Sequence, residues 1–310
     1  MRFLIDERSR AFALLTVMPL FFSSNLIIGR AAVNAVEPWT LAFLRWTLAF
    51  LMLLPFATRG IKQHSRLFRQ HWDMIAIMGF LGMWICGAGV YFALRYTSAT
   101  NGTLIYTSSP VLILLLEWIF RGRRIVPREI IGIVLAIAGV VTIVVKGSLS
   151  VLLGLDLNAG DIVFAFAALS WAVYSVLLKR PEFMGVPTLS LFAVLAFAGA
   201  VTLLPFTIWE IAETRRFPVS LPAWSSIAGI ALISSVLAFS CFQYGVKVLG
   251  PATTGVFMYL LPPYGVMMAV LFLGEELHFY HLTGFVLIMA GLVLATAPKA
   301  LFRRIRVRTY

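Results

Sequence analysis

The chain has 310 residues, of which 61% are apolar and only 12% charged, about half of the roughly 25% charged share of soluble domains. A folded surface of this length needs polar groups to cover it, so secreted, disordered and ordinary soluble classes are excluded and a polytopic membrane protein remains. The net charge of +12 would raise nucleic-acid binding in a soluble chain, but here the bases are scattered through short gaps between apolar runs. With no basic, aromatic-interleaved patch, they read as topology signals facing anionic lipid.

A spanning helix takes about 20 mostly apolar residues. Ten runs qualify, at about 11–30, 38–57, 73–94, 101–120, 129–146, 160–178, 188–209, 223–246, 252–273 and 280–297. Met1–Arg10 carries three arginines, as the head of a signal peptide would. The run behind it is long, lacks a small-residue cleavage pattern and leads through Arg30 into a second span, so it reads as a helix. The two ends and the gaps after even-numbered spans hold nineteen Lys/Arg, including Arg2, Arg59, Arg121, Arg123, Lys179, Lys247 and Lys299. The other gaps hold five: Arg30, Arg95, Lys146, Arg215 and Arg216. That bias places both termini in the cytoplasm. The gaps leave no room for a soluble domain. Cys86 and Cys241 lie inside apolar runs and read as small packing residues.

Shifting the chain by 152 residues aligns spans three to five with spans eight to ten without a gap. Arg95 falls on Lys247, Pro110 on Pro262, Gly122 on Gly274, Gly132 on Gly284 and Gly139 on Gly291; a shift of 149 puts Arg30 on Lys179 and Pro38 on Pro187. Each copy holds five spans, an odd number, so the second sits upside down relative to the first. The fold expected is all-α and integral to the membrane, ten helices in two inverted repeats over 1–150 and 151–310. Inverted repeats build two states of similar energy that expose one midplane site to either side in turn, which points to a transporter.

The segments "SSNLIIGRAA", "LAFLRWTLA" and "YFALRYTSATNGTLIYTSSPVLILLLEWIF" in the first half, with "TGVFMYLLPPYGVMMAVLFLGEEL" and "TGFVLIMAGLVL" in the second, resemble the EamA-type exporters of the drug/metabolite transporter superfamily. The resemblance covers nearly the whole chain. It implies ten helices around a central cavity and export of small metabolites, and it is nearest to bacterial amino-acid exporters, those for aromatic amino acids included. One departure is Arg123, where the family commonly has an acid after the glycine; Glu275 keeps that acid in the second copy.

Ionisable groups inside a membrane need a partner or a cavity. Arg45 and Glu117 lie well inside spans. Arg45 reads either as an arginine bound to helix-end carbonyls or headgroups, or as a gating or substrate residue. Glu117 reads as an i,i+4 partner of Arg121 or as a proton-coupling acid. His64, His71, His278 and His281 map to gaps or span ends, and no group of residues has the spacing of a metal site. Gly79, Gly82, Cys86 and Gly89 form a small-residue stripe.

The neutral polar and aromatic residues are the candidate site. Asn25, Trp84, Tyr91, Tyr106, Trp171, Gln243 and Tyr259 are either interhelical packing or the walls of a cavity for a small amphipathic solute. Trp84 and Tyr91 are seven apart, hence on one face; Trp171 shares a face with Tyr174; Gly255, Tyr259 and Pro262 or Pro263 share one on span nine. Pro110, Pro262 and Pro263 interrupt their spans at corresponding places, as hinges or as cavity shaping. The expectation is an exporter of amino acids or related small metabolites in the inner membrane of a bacterium. Its partners are that solute and lipid, with neither cofactor, metal nor nucleic acid. A channel or an integral-membrane enzyme is the alternative; either needs a charged pore ring or an interfacial cluster of His, Asp or Glu that the sequence lacks.

Overall fold

The computed structural model describes residues 6–33, 36–97, 99–154, 158–274 and 276–296, without the side chains at 26, 27, 29–33, 99, 100 and 273. Arg2, Glu275 and the basic tail from Lys299 onward lie outside the described residues, as does the side chain of Arg30. Among the described residues the chain is helical without strands. A 27-residue helix, α1 (Glu7–Val33), comes first. It is followed by α2 (Pro38–Gln63), α3 (Trp72–Ala93), α4 (Asn101–Arg121), α5 (Pro127–Val144), α6 (Ala159–Leu177), α7 (Thr188–Thr214), α8 (Leu221–Leu249), α9 (Pro251–Phe272) and α10 (Phe279–Thr296). These nine, α2 to α10, are long and apolar enough to cross a membrane. Large apolar side chains such as Phe56, Phe120, Phe166 and Leu271 stand exposed on them, as lipid-facing residues do.

Local chemistry sets the helix ends. Proline opens α2, α5 and α9 at the first turn, where its missing N–H costs nothing. Asn158 and Asp161 form a capping box at the start of α6. Gly122 and Gly274, repeat partners, end α4 and α9 with φ of 60° and 69°, a conformation that glycine adopts without a Cβ clash.

Four helices are irregular inside, and the irregularities correspond. A π-helical stretch runs over Phe80–Gly89 in α3 and another over Ile230–Leu237 in α8; the 152-residue shift carries the first onto 232–241. Helix α4 breaks between Tyr106 and Ser109, and α9 tightens into a 3-10 turn over Phe257–Leu260. In both, helix resumes at prolines: Pro110 in α4, Pro262 and Pro263 in α9. Without a proline N–H the preceding turn cannot close as an α-turn.

The most extensive contacts are α5 with α10 and α2 with α7. Both pairs are antiparallel. Gly132 meets the backbone of Gly291 while Gly139 meets that of Gly284, so closely that a Cβ on Gly132 would lie 2.6 Å from the Gly291 carbonyl oxygen. In the other pair Thr40 meets Glu210 and Ser190 donates to the Ala57 carbonyl. Elsewhere α1 packs on α8 and α9 as α6 packs on α3 and α4, and α2 packs on α8 as α7 packs on α3. Exchanging the first five helices for the last five leaves this contact pattern unchanged.

Candidate functional site

Arg45 is 6% exposed, seven residues into α2, and is held by four neutral groups. Its Nε donates to Ser235 Oγ (2.6 Å), one terminal nitrogen to Tyr91 Oη (3.0 Å) and the other to the Ser234 carbonyl (3.3 Å). The guanidinium carbon stands 4.9 Å over the Trp46 ring. The Asn25 amide brackets the same Tyr91 hydroxyl, Nδ2 donating at 3.1 Å and Oδ1 accepting at 3.2 Å. The hydroxyls of Ser24 and Ser234 are 3.2 Å apart, and Ser234 donates to the Phe21 carbonyl. The π-helical turn in α8 presents Ser234 to α1 and its neighbour Ser235 to α2, so two adjacent residues bridge two helices.

An aromatic core lies beside this network. Phe239 packs edge-on to Trp46 (4.9 Å between centroids), Trp171 (5.5 Å) and Phe22 (5.3 Å) and stacks on Phe192. Trp171 continues to Tyr174 (5.6 Å), whose hydroxyl accepts from Gln243 Nε2 at 3.0 Å. Polar atoms are left over in this core: Trp46 Nε1, Trp171 Nε1 and Gln243 Oε1 are buried without a partner, as are Ser109 Oγ, Thr254 Oγ1 and the Tyr259 hydroxyl. Buried polar groups are ordinarily satisfied, so such a set asks for an explanation.

Gln243 also lines a small cleft with Leu178, Phe183, Met184, Leu191 and Lys247. Lys247 donates to the Val186 carbonyl and Lys179 to the Lys247 carbonyl. Burial, with Arg121 beside it, holds the Lys179 ammonium below the usual lysine range; Glu117 acts against this and Lys247 with it. At the other end of α2, Glu37 pairs with both Arg95 and Arg216.

The expected site residues thus separate. Asn25 and Tyr91 meet at Arg45, and Trp171 and Gln243 meet through Tyr174. Tyr106 stands beside Cys86, whose thiol donates to the Ala167 carbonyl. Tyr259 is buried in the 3-10 turn that follows Gly255, and Gly255 abuts Pro110 and Ile113 of α4. Trp84 stands apart from the Arg45 network, packed between Trp39, Phe80 and Phe206. Trp84 and Tyr91 both reach α2, at Trp39 and at Arg45, and the π-helical stretch over Phe80–Gly89 includes Trp84 and ends before Tyr91.

Glu117 does not pair with Arg121. It accepts from the Ala252 N–H at the start of α9 (3.2 Å) and faces Arg123 (3.5 Å), while Arg121 donates to the Val176 carbonyl. Sequence reasoning passed over Trp46, Phe239, Ser234 and Ser235; a pair of serines inside an apolar run was the available signal. It also ended span seven before Glu210.

A bundle of long apolar helices, interrupted at matching places around a buried polar and aromatic core, is the architecture of a membrane transporter. The chain belongs to the EamA-like transporter family, which matches residues 9–145 and again residues 158–297. It is 26% identical over 280 residues to the uncharacterized transporter YyaM of Bacillus subtilis, covering 89% of this chain and 90% of that one. It is 28% identical over 221 residues to the probable terminal-alkyne amino-acid exporter of Streptantibioticus cattleyicolor, covering 71% and 72%. A crystal structure with 23% sequence identity shares the fold at a TM-score of 0.76, over 96% of this chain and 99% of that chain.

Proposed function

We propose that the protein exports small metabolites, foremost neutral and aromatic amino acids, from a bacterial cytoplasm across the inner membrane by alternating access. In this reading ten spans form two inverted repeats, 1–150 and 151–310, with both termini in the cytoplasm. The exchange-symmetric contacts and the antiparallel α5–α10 and α2–α7 pairs support the inverted relation. Asn25, Trp84, Tyr91, Tyr106, Trp171, Gln243 and Tyr259 are the proposed solute contacts, and Pro110, Pro262 and Pro263 the hinges.

The observation that carries the substrate class is the aromatic core with its unpartnered Trp46 Nε1, Trp171 Nε1 and Gln243 Oε1. An amino acid has donors and acceptors for such atoms and an apolar body for the rings, whose faces attract an ammonium by roughly 0.5–2 kcal/mol. The amino-acid exporter of Streptantibioticus cattleyicolor agrees with that class. The test is uptake of a labelled amino-acid panel into proteoliposomes with Gln243→Ala and Trp171→Ala, alongside protein yield. Loss of one net hydrogen bond is worth about 1 kcal/mol, so a several-fold loss of apparent affinity is expected. Two folded variants that transport like the parent would remove the site from this place.

A further inference from the structure

We infer that Arg45 is the anchor for a carboxylate on the transported solute, which makes the substrates small apolar or aromatic carboxylates. The inference rests on the transporter reading above and narrows its substrate class to solutes with a free carboxylate.

A buried guanidinium without an anion is costly, because charge taken out of water is repaid only by close opposite charge and full hydrogen bonding. The buried acids among the described residues are committed elsewhere. Glu117 holds the Ala252 N–H and Arg123. Asp161 holds Thr97, Asn101 and the Asn158 N–H. Glu210 takes the N–H groups of Trp39 and Thr40 and the Thr40 hydroxyl. No described carboxylate lies within ion-pair distance of Arg45.

A guanidinium carries five N–H groups. Three of them are used, on Ser235, Tyr91 and Ser234, which leaves one on each terminal nitrogen. Two remaining N–H groups can serve the two oxygens of a carboxylate, the bidentate pairing that favours arginine over lysine at such sites. The neutral hydroxyls of Ser235 and Tyr91 hold the guanidinium in position between occupants. A solute anchored here lies against the Trp46 ring, whose Nε1 is unpartnered, and next to Phe239 and Trp171 beyond it. Its apolar body therefore meets rings while its charge meets Arg45.

The experiment is thermal stabilisation of the purified full chain by matched acid and amide pairs: L-phenylalanine with L-phenylalaninamide, L-leucine with L-leucinamide, and 3-phenylpropionate with 3-phenylpropionamide. The acid of at least one pair should stabilise, with its amide weaker by about tenfold or more. Arg45→Gln should abolish that preference, whereas Gly185→Ala, where an added carbon meets nothing within 4 Å, should retain it. If Arg45→Gln does not fold, the acid–amide comparison on the parent protein decides. Stabilisation by 3-phenylpropionate and by no amino acid supports the carboxylate anchor while contradicting the amino-acid reading. Equal stabilisation by acid and amide, none by any pair, or an acid preference that survives in folded Arg45→Gln overturns the inference.

Discussion

Among the described residues four charged side chains are buried, Arg45, Glu117, Asp161 and Glu210, and the three acids do one job. Each meets backbone N–H groups at the start of a helix, α9, α6 and α2 respectively, where donors are orphaned and the dipole favours negative charge. Glu210→Ala should therefore lower stability by about 1–2 kcal/mol, read as a lower unfolding temperature in detergent, and Glu210→Gln should lose less because it keeps one acceptor. A Glu210→Ala protein as stable as the parent would contradict this role. The sequence made Arg45 and Glu117 conspicuous because both stand alone in apolar runs. It could not name their partners. Gly122 in its left-handed conformation turns the chain after Arg121 so that Arg123 returns over Glu117, and the Ala252 donor is 135 residues away. Such contacts follow from tertiary packing, which helical spacing does not encode.

At the scale of the element, small residues let backbones touch where lipid offers no hydrophobic drive to associate. Gly132→Ala places a Cβ 2.6 Å from a carbonyl oxygen and 2.7 Å from the Ala295 nitrogen. It should cost about 1–3 kcal/mol of stability, measured by thermal unfolding. Gly185→Ala is the control: nothing lies within 4 Å of the added carbon and the backbone there is right-handed, so it should be neutral. Equal behaviour of the two variants would show that the α5–α10 contact is looser than described. Helix positions were legible because apolar runs of spanning length admit little else. The π-helical stretches were not, since nothing in "FLGMWICGAG" or "IALISSVL" marks an i→i+5 turn. The first holds Trp84 and ends just before Tyr91, and the second carries Ser235, which meets Arg45.

At the scale of the whole molecule, the two halves share interruptions, glycine contacts and contact pattern, and in the proposed topology an odd number of spans per half sets them in opposite senses. The duplication was visible in the ungapped match of Gly132 with Gly284 and Gly139 with Gly291; that Gly132 meets Gly291 and Gly139 meets Gly284, each the counterpart of the other glycine in its helix, emerges only in three dimensions. A reporter active only in the periplasm, fused after Tyr310, should give no signal, and a strong signal would overturn the proposed orientation. The Glu37 pairs with Arg95 and Arg216 tie one end of the bundle together, while the cleft beside Lys247 reaches Gln243 from elements at the other end. The most direct test of carrier action is counterflow in proteoliposomes. With unlabelled phenylalanine inside, labelled phenylalanine should accumulate transiently above its external concentration, as a site that alternates between sides requires. Flux without such an overshoot would describe a pore, and no flux of any neutral or aromatic amino acid would contradict the proposed cargo.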